Sequence, residues 1–117
     1  MSEGLFALKI YKDKIGLIEL NEKLARESVI SFRQKAVEYI EANDITDVII
    51  DLTNLNWIDS AGIGVLMVIF KLVNRKNGKL IFVNPNKQIS EIFSILKLNQ
   101  VFNIVSTVEE AASLLGS

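Results

Sequence analysis

Two short apolar runs, Val48-Ile49-Ile50-Asp51-Leu52 and Leu80-Ile81-Phe82-Val83, lie on either side of a long helical stretch from about Ser60 to Arg75. Brief runs this rich in branched side chains fit strands that are covered on both faces. Joined through a helix rather than a tight turn, they are expected to be parallel strands of one sheet. The crossover between them is expected to be right-handed. Few chain plans satisfy that requirement, and all of them are layered α/β folds.

The flanking segments extend the same plan. Leu5 to Tyr11 alternates, with Phe6, Leu8 and Ile10 on one face, and Ile15 to Leu20 repeats the pattern around Lys12-Asp13-Lys14. Alternation broken by a short polar turn predicts an opening hairpin. From about Arg26 to Ala42 the period becomes helical, placing Val29, Phe32, Ala36, Val37 and Ile40 on one stripe, with Asn43 as a stop. Beyond Pro85, the residues Ile89, Ile92, Phe93 and Leu96 mark another helix, and Phe102 to Val105 reads as a short edge strand. Thr107, with Glu109 and Glu110 behind it, opens a last helix ending near Gly116, since acids suit the start of a helix dipole. The expected fold class is α/β, one domain over residues 1–117. Its sheet is mixed but mostly parallel, with four to five strands, an opening antiparallel hairpin and about four helices.

Composition removes most catalytic classes. The chain has no His and no Cys, which excludes disulfides, Cys/His zinc sites, and Ser-His-Asp or Cys-His catalysis. With 13 Lys and Arg against 14 Asp and Glu, no basic footprint points to nucleic acid. The first residues lack the basic and long apolar regions of a secretion signal. The longest apolar run, Ala61 to Phe70, is too short for a membrane span, which takes about 20 residues. A soluble cytoplasmic protein without metal or cofactor is expected.

Information concentrates between Asp51 and Gly64. There a buried strand is expected to run out through a polar loop, after which Asp59-Ser60 starts a helix. Binding sites in α/β sheets gather at the carboxyl ends of strands, and the first turn of a helix suits an anion. Ser60 would hold its hydroxyl at that spot, either as a plain N-cap or as a functional group. Gly62 and Gly64 both fall in the first turn, where each costs a helix about 1 kcal/mol relative to Ala, so a close approach by another backbone or molecule is expected. At helical spacing, Lys71, Arg75, Gly64 and Asn74 share a narrow polar arc, while apolar residues fill about 220°. Either neighbouring elements cover that surplus, or a partner does.

Asp51-Leu52, six intervening residues and then Asp59-Ser60-Ala61-Gly62-Ile63-Gly64 before an apolar helix resembles the signature of STAS-domain anti-sigma factor antagonists, the stage II sporulation protein AA group among them. The order of elements resembles that family over nearly the whole chain. The resemblance implies a partner switch. Ser60 maps onto the serine phosphorylated by a cognate anti-sigma factor, itself a GHKL-type ATP-dependent kinase. The unphosphorylated protein would bind the kinase, and a metal-dependent serine phosphatase would restore the hydroxyl. Partner contact is expected at Asp59, Ser60, Ala61, Gly62, Gly64, Val65 and Val68, with no catalytic residue and no metal ligand. A monomer is expected when the protein is free, as the contact face must stay open. One departure is visible. Where the family shows Gly, one residue, Leu or Ile and then Asp or Asn, this chain has Asn21-Glu22-Lys23-Leu24-Ala25, with Ala25 near the place of the acid or amide.

Three other readings compete. Ile58-Asp59-Ser60-Ala61-Gly62 loosely resembles a nucleophile elbow, but Ile58 replaces the first Gly and no His can act as base. A phosphoaspartate receiver needs more carboxylates than Ile10-Tyr11-Lys12-Asp13 offers. The strongest competitor is a constitutive STAS scaffold within a signalling complex or transporter, in which Ser60 is only a helix cap.

Overall fold

In the computed structural model, which describes residues 4–116, five strands form one sheet in the order β1-β2-β3-β4-β5. The elements follow the chain as β1 (Phe6–Lys12), β2 (Ile15–Leu24), α1 (Val29–Ala42), β3 (Asp47–Ile58), α2 (Ser60–Arg75), β4 (Leu80–Val83), α3 (Lys87–Ile95), β5 (Asn103–Val105) and α4 (Val108–Leu114). β1 and β2 pair antiparallel, and every other pair is parallel. Strands β3 and β4 are therefore parallel neighbours around α2, as their sequence requires.

The two faces of the sheet are covered unequally. Side chains on a strand alternate between faces, so Val48, Ile50 and Leu52 point one way and Ile49 the other. The first set joins the main core with Phe32 and Ile40 of α1, Leu66 and Ile69 of α2, and Ile89 and Phe93 of α3. Ile49 joins Ile15, Ile81 and Val83 under Ala111 of α4. An aromatic cluster closes the main core at one end, with the Phe82 and Phe102 rings 4.5 Å apart and Phe93 5.6 Å from Phe102. Among the described residues, no helix is long and apolar enough to cross a membrane.

Four boundaries differ from the sequence reading. Residues Thr53–Trp57 are not a loop: β3 continues to Ile58, and β2 continues to Leu24 beside it. Past the last β3–β4 pair, Asp51 with Val83, this extension is a two-stranded ribbon pairing Asn21 with Asn54 and Leu24 with Ile58. On its β3 side only Leu55 and Ile58 reach the core, so the stretch looks like a loop in sequence, although Asn54 and Trp57 pair with Asn21 and Lys23 and Asn56 falls at a register shift. Two register shifts and a left-handed Glu22 (φ 61°) bend the ribbon. Helix α1 starts at Val29 rather than Arg26, since the Ser28 hydroxyl donates to the Ala25 carbonyl (3.1 Å) and holds residues 25–28 in a turn. The last helix ends at Leu114.

Candidate functional site

The site forms where the β2–β3 ribbon ends and α2 begins. The Asp59 N–H donates to the Leu24 carbonyl (3.3 Å), tying the end of β3 to the end of β2. Its backbone is extended (φ −107°, ψ −175°), and its carboxylate Oδ1 accepts the Gly62 N–H at 2.9 Å, the geometry of an N-cap. The other oxygen, Oδ2, accepts the Arg26 N–H at 2.9 Å. These donors, Gly62 first and Arg26 next, favour the ionised form and hold the Asp59 carboxyl below the usual carboxylate range.

Asp59 is therefore the cap, and of the two readings of Ser60 the plain N-cap is the one this geometry does not bear out. Ser60 is the first residue inside α2, is exposed, and makes no side-chain hydrogen bond among the described residues. The reason is spacing: the cap oxygen must reach the N–H three residues on, and Asp59 already occupies the last extended position before the helix. A scaffold in which Ser60 is retained only as a cap has no support in this geometry.

The two glycines near the start of α2 separate in role, and only Gly62 lies in its first turn. Gly62 is buried, and a Cβ there would run into the Leu24 carbonyl and the Ile58 side chain, so the chain's own backbone makes the expected close approach. Gly64 is exposed, and a Cβ there would meet nothing within 4 Å. Ala61 and Val68 are half-buried. Val65 is a correction: expected on the contact surface, it is only 4 % exposed and packs into the main core. Its position on the helix turns it inward, toward the same core as Leu66 and Ile69.

Ser60 and Gly64 crest a ridge with an apolar groove on each side. Between α1 and α2 a groove of about 320 Å³ is lined by Ile30, Arg33, Ala61, Gly64 and Val68, with Val29 and Val65 behind. Between α2 and α3 a second, of about 290 Å³, is lined by Ser60, Ile63, Ile92, Ile95 and Leu96, with Ile58 and Asp59 at its end. Asn86 sets α3 in place, capping it through the Ile89 N–H (2.8 Å) while its Nδ2 donates to the Leu55 carbonyl (3.2 Å). Ile30 and Ile95 are each 78 % exposed and were not among the expected contact residues. Their signal was present: Ile30 lies two residues from Phe32, and Ile95 two from Phe93, about 200° around each helix from a buried ring. Ala25 is a buried methyl beside this site, and no side-chain acid or amide is offered there.

Chemically, the arrangement presents a primary hydroxyl at a helix start with no base engaged to activate it. Both Asp59 oxygens are already occupied by N–H donors, and its lowered pKa makes it a weak base. No group of three or more metal-ligating side chains occurs among the described residues. The site thus sits on a sheet ordered β1-β2-β3-β4-β5, with helices packed unequally on its two faces and an exposed hydroxyl at the start of α2. The chain belongs to the STAS domain family, whose profile matches residues 8–111. It is 27 % identical over 107 residues to a Thermotoga neapolitana protein named an anti-sigma factor antagonist, covering 92 % of this chain and 94 % of the relative. Its fold is similar to a Thermotoga maritima crystal structure of the same description (TM-score 0.89, 23 % identity, 96 % and 95 % of the two chains). It is also similar to the phosphorylated form of the Bacillus cell fate determinant SpoIIAA (TM-score 0.76, 24 % identity, 94 % and 98 %).

Proposed function

We propose that this protein is an anti-sigma factor antagonist of a partner-switching pathway, with Ser60 as its phosphoacceptor. Unphosphorylated, it binds an anti-sigma factor of the GHKL-type ATP-dependent kinase class and so frees a sigma factor. Phosphorylated at Ser60, it lets the kinase go, and a metal-dependent serine phosphatase resets it. The observation that carries this reading is the Ser60 hydroxyl, exposed and without a structural hydrogen bond on a ridge between two apolar grooves. The names of the relatives point the same way.

The physical basis of the switch is an asymmetry between folding and binding. A phosphate adds about −1.5 to −2 charges and three acceptor oxygens. At a helix start, free N–H groups and the dipole tolerate that charge, so the fold survives. A partner packed on both grooves would have to strip water from the phosphate beside the Asp59 carboxylate, with a large desolvation cost.

The test is a pull-down from the source cell with wild-type and Ser60→Asp baits, prey and phosphosites being read by mass spectrometry. A small kinase-fold protein retained by wild type and lost by Ser60→Asp, with ATP-dependent modification of Ser60, is the expected result. Identical prey on both baits, with Ser60 unmodified, would overturn the proposal.

A further inference from the structure

We propose that the groove between α1 and α2 seats an apolar side chain of the anti-sigma factor kinase, flanked by a carboxylate that pairs with Arg33; this rests on the partner switch proposed above. Three independent features converge on that groove. Gly64, at its rim, is unexplained by the fold: a Cβ there would touch nothing within 4 Å, yet glycine costs a helix about 1 kcal/mol. A glycine that the chain's own packing does not require keeps the groove open for something outside the chain. Ile30 stands on the opposite rim at 78 % exposure, a branched apolar side chain left in water.

Charge then decides what fits. Arg33 lines the groove, and its helical neighbours three and four residues away, Ile30, Ala36, Val29 and Val37, are all apolar; the α1 acid nearest this stretch, Glu38, lines an adjoining groove with Arg33 but forms no salt bridge with it. Further along the ridge, Lys71 and Arg75 likewise have Met67, Val68, Asn74 and Leu72 around them on α2, and none of these three cations forms a salt bridge among the described residues. No acid lines the groove, and the nearby Asp59 carboxylate is held by two backbone N–H groups. A second copy docked about a two-fold axis on this ridge would set the Arg33, Lys71 and Arg75 patch against itself. A partner with an apolar protrusion and acidic rim meets both the shape and the charge.

The kinase recovered in the pull-down, purified, is titrated calorimetrically with wild type, Ser60→Asp, Gly64→Leu, Arg33→Glu and Arg33→Lys, with thermal melting of each variant. Gly64→Leu should fill the groove and weaken binding by about tenfold or more, as for a central contact, while its melting temperature holds or rises. Arg33→Glu should weaken binding by a similar factor, Arg33→Lys by less, and the Arg33→Glu loss should shrink in high salt. If Gly64→Leu and Arg33→Glu bind within twofold of wild type while Ser60→Asp does not bind, the groove assignment is overturned and the switch stands. Failure to recover any kinase overturns both. Self-association of wild type in sedimentation, abolished by Gly64→Leu, would give the groove to a second copy and overturn the assignment as well.

Discussion

The Asp59 carboxylate reaches back 33 residues to take the Arg26 N–H on Oδ2 while taking the Gly62 N–H on Oδ1, each at 2.9 Å. One side chain therefore starts α2 and pins the β2–α1 turn to it. Asp59→Ala should lower stability by about 1–2 kcal/mol, the upper part of the range for a lost cap, because a second donor is orphaned with the first. Denaturant titration checks this. The dependence on pH has a definite sign. A carboxyl held below its ordinary value contributes stability that is fully present above the unfolded pKa, about 3.9, and is lost as pH falls through the folded value. The gap between wild type and Asp59→Ala should thus be constant from neutral pH to about 5 and close under stronger acid.

Ser60→Ala should change stability by less than about 0.5 kcal/mol, the usual limit for an exposed side chain free of structural contacts. A true N-cap serine would cost about 1 kcal/mol on the same substitution. Chemical denaturation of the two proteins side by side distinguishes the cases, and a loss near 1 kcal/mol would return Ser60 to a capping role.

Gly62→Ala and Gly64→Ala should move stability in opposite directions although both replace a glycine near the start of α2 by the best helix former. At Gly62 the new methyl meets the Leu24 carbonyl, a backbone group that cannot swing aside, and the net loss should be about 1–3 kcal/mol. At Gly64 it meets open space, and a gain of up to about 1 kcal/mol is expected from reduced unfolded-state freedom and better propensity. Thermal melts of both variants against wild type give the answer directly.

Tyr39 of α1 is half-buried over Gly16 of β2, and its hydroxyl donates to the Lys9 carbonyl of β1. Burial pushes its phenol up to about 12. The unfolded chain ionises near 10, so wild type should lose stability as pH rises from about 10 toward 12, while the folded phenol still holds its proton. Tyr39→Phe removes this titration. Stability curves of the two proteins should therefore differ in slope in that interval, and parallel curves would show that the phenol reaches solvent.

Much of the molecule was legible in the linear pattern. The β-branched runs Val48–Leu52 and Leu80–Val83 around an apolar helix favour parallel neighbours, because a parallel pair needs a long crossover and the helix supplies it. Alternation in Phe6–Ile10 and Ile15–Leu20 gives the hairpin for an equally local reason. Asp59-Ser60 marks the start of α2, since both residue types stop and cap helices.

What sequence did not settle is which neighbour each group meets. Two adjacent residues, Asp59 and Ser60, are both good caps, and only the Leu24 carbonyl fixing the Asp59 backbone assigns the role. Gly62 and Gly64 are indistinguishable as letters, yet one lies beneath another strand's carbonyl and the other faces open space. The polar run Thr53–Trp57 becomes strand because β2 extends alongside it, a partner some 30 residues away. Periodicity is a property of one element and can be read from its own residues. Contact belongs to two elements at once, and it was decided only when the sheet brought β2, α1, α2 and α3 together.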